Sequence, residues 1–183
     1  MLNSPLLSHS AARLHRLGDA LLPFLARFIF AAVLLFYFWN SAKTKLGDGI
    51  FGFLSPSSGA YVQIFPRAME AAGYDTSQLT IFHWAVVTAG TLAEFILPLL
   101  ILVGLMTRLA ALGMIGFIIV QSLTDLFGHG GIAHAGTLGM WFDRLPDGLI
   151  LDQRAFWVFC LLTLVFKGAG AISIDRLIFR NAP

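Results

Sequence analysis

Four stretches of this chain stay apolar long enough to cross a bilayer core of about 30 Å, a distance that takes about 20 helical residues. They cover about residues 20–39, 82–105, 109–127 and 155–172, the last weakened in its final turns by Lys167, Gly168 and Gly170. Two more polar intervals, 40–81 and 128–154, separate the first span from the second and the third from the fourth. The first interval is too long for a bare connection. It holds turn material at Ser55-Pro56-Ser57-Ser58-Gly59 and a helical stretch near Tyr61–Ala72. The second opens on the Gly-rich segment Gly128–Gly139 and continues into Trp141-Phe142-Asp143. This pattern predicts an all-α, membrane-embedded four-helix bundle, a single transmembrane domain over residues 1–183 with helical caps in its outer loops. Arg13 and Arg16 precede the first span as they would a signal peptide, with Ala42 as a conceivable cleavage point. The span is too long for a signal h-region and contains Arg27, so a retained helix is expected.

Composition strengthens this picture. The chain is 57% hydrophobic and 12% charged, with 17 Phe and a mean hydropathy of +0.80, whereas soluble domains are roughly 45–50% apolar and roughly 25% charged. The net charge of +2 comes from scattered Lys and Arg, which excludes the clustered basic face of a nucleic-acid binder. The single cysteine, Cys160, can form neither an internal disulfide nor a CxxC pair. Electron chemistry would therefore need an external cofactor, not carried covalently, or a partner protein. Arg13, Arg16, Arg108, Arg176 and Arg180, with Lys167 close by, lie at the end of the bundle that holds both termini, while acidic residues dilute the longer loops opposite. That distribution places both termini in the cytoplasm.

Polar residues inside the spans carry the candidate chemistry. A charge near the bilayer centre costs at least about 2.5–3.5 kcal/mol, so it needs a partner, a wet cavity or a route to the headgroups. Glu94 sits near the middle of the second span, and Arg27 lies seven residues inside the first. An Arg27–Glu94 pair is the expected arrangement. Such a pair could simply fix helix packing, or it could form a site that relays protons or contacts a quinone. Gln121, Asp125 and His129 recur at i, i+4 and i+8 and share one face of the third helix. With His83 and Lys43 they would form a polar vestibule near the outer surface, unless they are interfacial residues wetted by headgroups. His129 and His134 lack a third firm ligand, so no metal site is assigned. Ala110, Ala111, Gly113 and Gly116 give the third helix a small-residue face suited to close packing.

Two segments resemble a known family. Glu94 through Leu112, EFILPLLILVGLMTRLAAL, is similar to the glutamate, apolar run and G-L-x-T-R of DoxX-like membrane proteins. Lys167–Asp175, KGAGAISID, resembles that family's closing G-x-G-x-x-S-x-D. Arg27 and a following lysine, Lys43 or Lys45, also fit, although Asn40, Ser41 and Ala42 stand where glycines are usual. The resemblance implies a four-helix bundle in a prokaryotic cytoplasmic membrane, some members being subunits linked to quinone-dependent oxidation of sulfur compounds. Ser173 suits the N-cap of a short tail helix with Asp175 in its first turn. The resulting expectation is a membrane subunit of a quinone-linked redox assembly. The alternative is a non-catalytic anchor that docks a soluble redox or stress-response partner. A transporter fits less well, because the chain is small and has no inverted repeat.

Overall fold

The structure, a computed structural model, describes residues 5–178, with side chains from residue 11 onward; Arg180 lies outside them. No strand occurs among the described residues. The first helix, α1, runs Pro5–Lys45 and continues past the apolar stretch because no glycine or proline interrupts Asn40–Lys45. It stops where Gly47 packs its backbone directly on that of Gly52 and Ser55, an approach that leaves no room for a side chain. Two short helices follow, α2 (Ser58–Ile64) and α3 (Pro66–Ala71). Pro66 divides the single helical stretch expected there, since it can begin a helix but not continue one.

The second span is α4, Ile81–Val103, begun by a capping box in which Thr80 and His83 exchange side-chain and backbone bonds. Gly104, in the left-handed region at φ 71°, ends it, and the N–H groups of Gly104 and Leu105 both return to the Leu100 carbonyl. The third span, α5 (Thr107–Leu123), extends through a π-helical turn at Thr124–Gly128. A four-residue helix, α6 (Ala135–Leu138), lies in the loop beyond it. A second π-helical stretch, Leu149–Arg154, leads into α7 (Ala155–Lys167), and a short α8 spans Ile174–Ile178. The fourth span thus covers Leu149–Lys167, beginning and ending several residues earlier than the expected 155–172.

Among the described residues, four helical segments are long and apolar enough to cross a membrane, which defines an all-α, multi-pass architecture. α1 packs on α4 and α7, and α5 packs on the same two, so the four form a closed ring with alternating direction. Between them lie Phe30, Leu34, Phe38, Ile101, Met114, Ile118, Leu161 and Leu164, each at most 3% exposed. Phe38 meets Phe117 and Trp157 edge to face at ring-centroid distances of 5.8 and 6.2 Å. Since lipid tails are as apolar as these side chains, association rests on such close packing and on polar links. Both long connections emerge at one end of the bundle, here the loop end. The α4–α5 turn, the start of α1 and α8 occupy the other, the terminal end.

Candidate functional site

Along α1 the buried positions are Pro23, Ala26, Arg27, Phe30, Ala31, Leu34, Leu35, Phe38, Ala42 and Lys45, a stripe at helical spacing. Two cations lie on it, and they do different things.

Arg27 does not reach Glu94. Its guanidinium donates from Nε to the Ile101 carbonyl at 2.9 Å and from Nη2 to that of Leu102 at 2.7 Å. Nη1 donates to Ala169 at 2.8 Å and Ile172 at 2.5 Å. These acceptors are carbonyls at the end of α4, of which Ile101 also accepts the Gly104 N–H at 3.2 Å, and carbonyls of the segment after α7. Arg27 is nearer to them because it lies toward the terminal end, beside the C-terminus of α4, where the helix dipole also favours a cation. The expected Arg27–Glu94 pair is therefore corrected: Arg27 is a clamp at the terminal end.

Asp175 completes that clamp from the opposite direction. Its carboxylate accepts the N–H groups of Met106 at 2.6 Å and Thr107 at 2.9 Å, capping α5 from another helix, while its own N–H donates to the Gly104 carbonyl. Ser173 accepts the Arg176 N–H and is the N-cap of α8, as expected. The two family-like segments thus close on each other around Gly104.

Glu94 is buried, with 3% of its side chain exposed, and its partner is Lys45, itself 2% exposed. Lys45 Nζ donates to Oε2 at 2.8 Å and Oε1 at 3.0 Å, and also to Ser41 Oγ at 2.6 Å. Ser41 Oγ in turn donates to Glu94 Oε1 at 3.1 Å. The Lys45 side chain folds back one turn along α1, carrying its charge deeper into the apolar zone. Lys43, expected in the site, is exposed on another face of the helix.

The pair lines a cavity of about 380 Å³ bounded by α1, α2, α4 and α5. Gly90 and Ala93 of α4 and Gly113, Gly116 and Val120 of α5 form walls in which Gly113, Gly116 and Val120 are exposed on the outside of the bundle. With these residues exposed, the cavity is partly open along α5, an apolar spanning helix. The small-residue face of α5 is divided: Ala110 and Ala111 are packed in the core, while Gly116 borders open space.

Of the expected polar stripe, Gln121 and Asp125 line this cavity. Gln121 Nε2 donates to the Tyr37 hydroxyl at 3.2 Å, and its Oε1 is buried with no partner among the described residues. Asp125 pairs with Arg154 at 2.5 Å, and Arg154 also donates to Ser122 Oγ at 2.9 Å. His129 leaves the stripe because the π-helical turn resets the helical phase, and its Nε2 lies 2.9 Å from the Gln63 carbonyl instead. His83 is occupied by the capping box. Neither histidine joins the cavity. Among the described residues no three His, Cys, Asp or Glu side chains are grouped to hold a metal ion.

Ser41, Lys45, Tyr37 and Arg154 are the residues a count of apolar runs passes over. Arg154 had a signal: Leu161 and Gly168 follow it at i+7 and i+14, and all three are buried. Over the loop end, α2 and α3 pack Ala60, Tyr61 and Met69 against Val87, and burial pushes the Tyr61 phenol above its usual range. No family model, curated protein or solved structure matches this chain.

Proposed function

We propose that this chain is a membrane subunit of a quinone-linked redox assembly, and that the Lys45–Glu94 cavity holds the quinone. The supporting observation is the combination of a buried ion pair with an apolar cavity partly open along α5. A ring with a long apolar tail needs both. The tail can remain in the bilayer while the ring enters between α4 and α5, where Gly90, Ala93, Gly116 and Phe117 line the cavity. Its volume lies in the range of roughly 300–1,000 Å³ typical of small-ligand sites. When bound, the quinone supplies two-electron chemistry; Lys45, Ser41 and Glu94 orient its polar edge and hold the nearby protons. The DoxX-like resemblance adds to this reading, and with it a prokaryotic cytoplasmic membrane with both termini on the cytoplasmic side. Electrons would come from a partner protein.

The test is binding of decyl-benzoquinone to the full chain in lipid nanodiscs. Gly116→Leu should abolish binding, because a Cβ at Gly116 meets nothing within 4 Å and the larger side chain fills the cavity without disturbing the fold. Glu94→Gln should weaken binding and the activity of the host complex. Failure of the wild type to bind, or binding untouched in both variants, rejects the proposal.

One observation favours a second reading, a non-catalytic anchor for a soluble partner. At the loop end Met140, Trp141, Phe142 and Leu145 are all exposed, and Phe142 stands fully out at φ 65°. On that reading Phe142→Ser abolishes capture of the partner while Glu94→Gln does not.

A further inference from the structure

Beyond the ion pair and Ser41, the polar lining of the cavity lies on the loop-end side of Glu94. On α4 the lining runs from Val86 to Glu94, and on α5 from Gly113 to Asp125. The two helices alternate in direction, and a Cβ on Gly113 would lie 3.2 Å from Leu97 Cδ2, so Glu94 stands nearly level with Gly116. Gln121, Thr124 and Asp125 are then about 8–13 Å farther toward the loop end, at about 1.5 Å of rise per residue. Gln63 of α2 completes the row. Exposure rises in the same direction: Glu94 is 3% exposed, Asp125 is 29% exposed, and Gln63 is open to solvent.

Toward the terminal end the lining stops. Beyond it Leu97 packs against Gly113, and Ile101, Ala110, Ala111 and Met114 are each at most 2% exposed in the core. An ion pair at membrane depth needs a partner, a wet cavity or a route to the headgroups. Here the cavity supplies a route on one side only. Its volume of about 380 Å³ holds several water molecules. The second N–H of the Gln121 amide, the Thr124 hydroxyl and the Asp125 carboxylate give those waters the polar partners that ordering requires.

We infer that the cavity is a water passage joining Glu94 to the loop end of the bundle and not to the terminal end, so that a proton gained or lost at the Lys45–Glu94 pair is exchanged with the loop side. In uptake a hydronium ion gives its proton to a Glu94 oxygen and leaves as water; release is the reverse. The charged groups facing Glu94 along the passage are Lys45 from α1 and Asp125 from α5, the latter held by Arg154, while α2 adds no charged side chain. The passage stands on the cavity alone. Its use by a bound quinol, whose hydroxyl protons would leave at the loop end, rests on the quinone reading of the same site.

The experiment places a single thiol in the passage of the full chain, as Gly90→Cys on a Cys160→Ser background. A Cβ at Gly90 meets only Ile64 Cδ1, at 3.8 Å, so the substitution is accommodated. The probe is 2-sulfonatoethyl methanethiosulfonate, an anion that stays on one side of a sealed vesicle and reacts with the thiolate, which forms only where water reaches it. Modification from the loop face should be about 100-fold faster than from the terminal face, the penalty a charge meets at mid-bilayer depth. Ala93→Cys, also in the lining, should show the same sidedness, with the thermal transition confirming that each variant is folded. Equal rates from the two faces, faster modification from the terminal face, or no modification of either folded variant from the loop face overturns the inference. Binding of decyl-benzoquinone to the wild type is read separately, so loss of the passage and loss of the quinone site are distinguishable.

Discussion

Lys43 and Lys45 stand two residues apart, one exposed and the other 2% exposed against Glu94. Helical geometry explains the difference: Arg27 and Lys45 are 18 residues apart, five turns at 3.6 residues per turn, so both fall on the buried stripe. Lys43 falls about 160° away. Lys45→Met should destabilise the protein by about 3–5 kcal/mol, because it leaves Glu94 buried without its cation. Lys45→Met combined with Glu94→Leu should recover most of that loss, while Lys43→Ala should stay within about 0.5 kcal/mol of wild type. Thermal unfolding in one detergent measures all three, and a double variant no better than Lys45→Met refutes the pairing. The burial of Glu94 was legible from its depth in an apolar run. Its partner was visible only as one of two lysines, Lys43 or Lys45, that fit the resemblance, and was not paired with it because α1 seemed to end with its last apolar residue, Trp39, six residues short of Lys45. A helix with no breaker continues until a backbone contact such as that of Gly47 stops it.

Among the elements, the α4–α5 turn and the segment after α7 hold each other in place. Gly104 tolerates no side chain, since a Cβ there would lie 2.6 Å from Ser173 Cβ and 2.8 Å from Arg27 Cζ, and its φ of 71° is unfavourable for other residues. Gly104→Ala should therefore cost at least about 1–3 kcal/mol from backbone strain alone. Asp175→Asn, which weakens the cap on α5 without adding bulk, should cost about 1 kcal/mol. Chemical denaturation ranks the two, and an Asp175→Asn loss larger than that of Gly104→Ala contradicts the geometry. In the cap at the loop end, the Ser77 hydroxyl and backbone N–H hold the Asp75 carboxyl below its usual range. The folded value is the lower one, so any contribution to stability is present above the ordinary carboxyl range and fades as pH falls through the depressed value. Ser77→Ala should move the NMR titration of Asp75 upward. The family-like segments were visible as strings of residues, but their contact was not, because Arg27 meets Ala169 across 142 positions. The π-helical turn at Thr124–Gly128 was equally hidden, since one extra residue in a turn leaves the apolar spacing on either side unchanged.

For the whole molecule, four alternating spans place the start of α1 and α8 at one end and both long loops at the other. Single-cysteine variants at Ser58 and Arg176, on a Cys160→Ser background, should react with an impermeant thiol reagent from opposite faces of sealed vesicles. Labelling of both from the same face would refute the four-span arrangement. The bundle itself was readable because four apolar runs of sufficient length admit few other solutions in lipid. The cavity was not, because it depends on where glycines of α5 fall relative to α4, a relation between helices that no single helix encodes.

The guanidinium of Arg27 has an implication for biosynthesis. It lies on α1, yet Ala169 and Ile172, two of the four carbonyls that satisfy it, are translated 142 and 145 residues later. Until those peptide groups emerge, the nascent protein carries a half-solvated cation at its membrane boundary. Synthesis through Ile172 is thus needed before the Arg27 guanidinium has all four of its carbonyls.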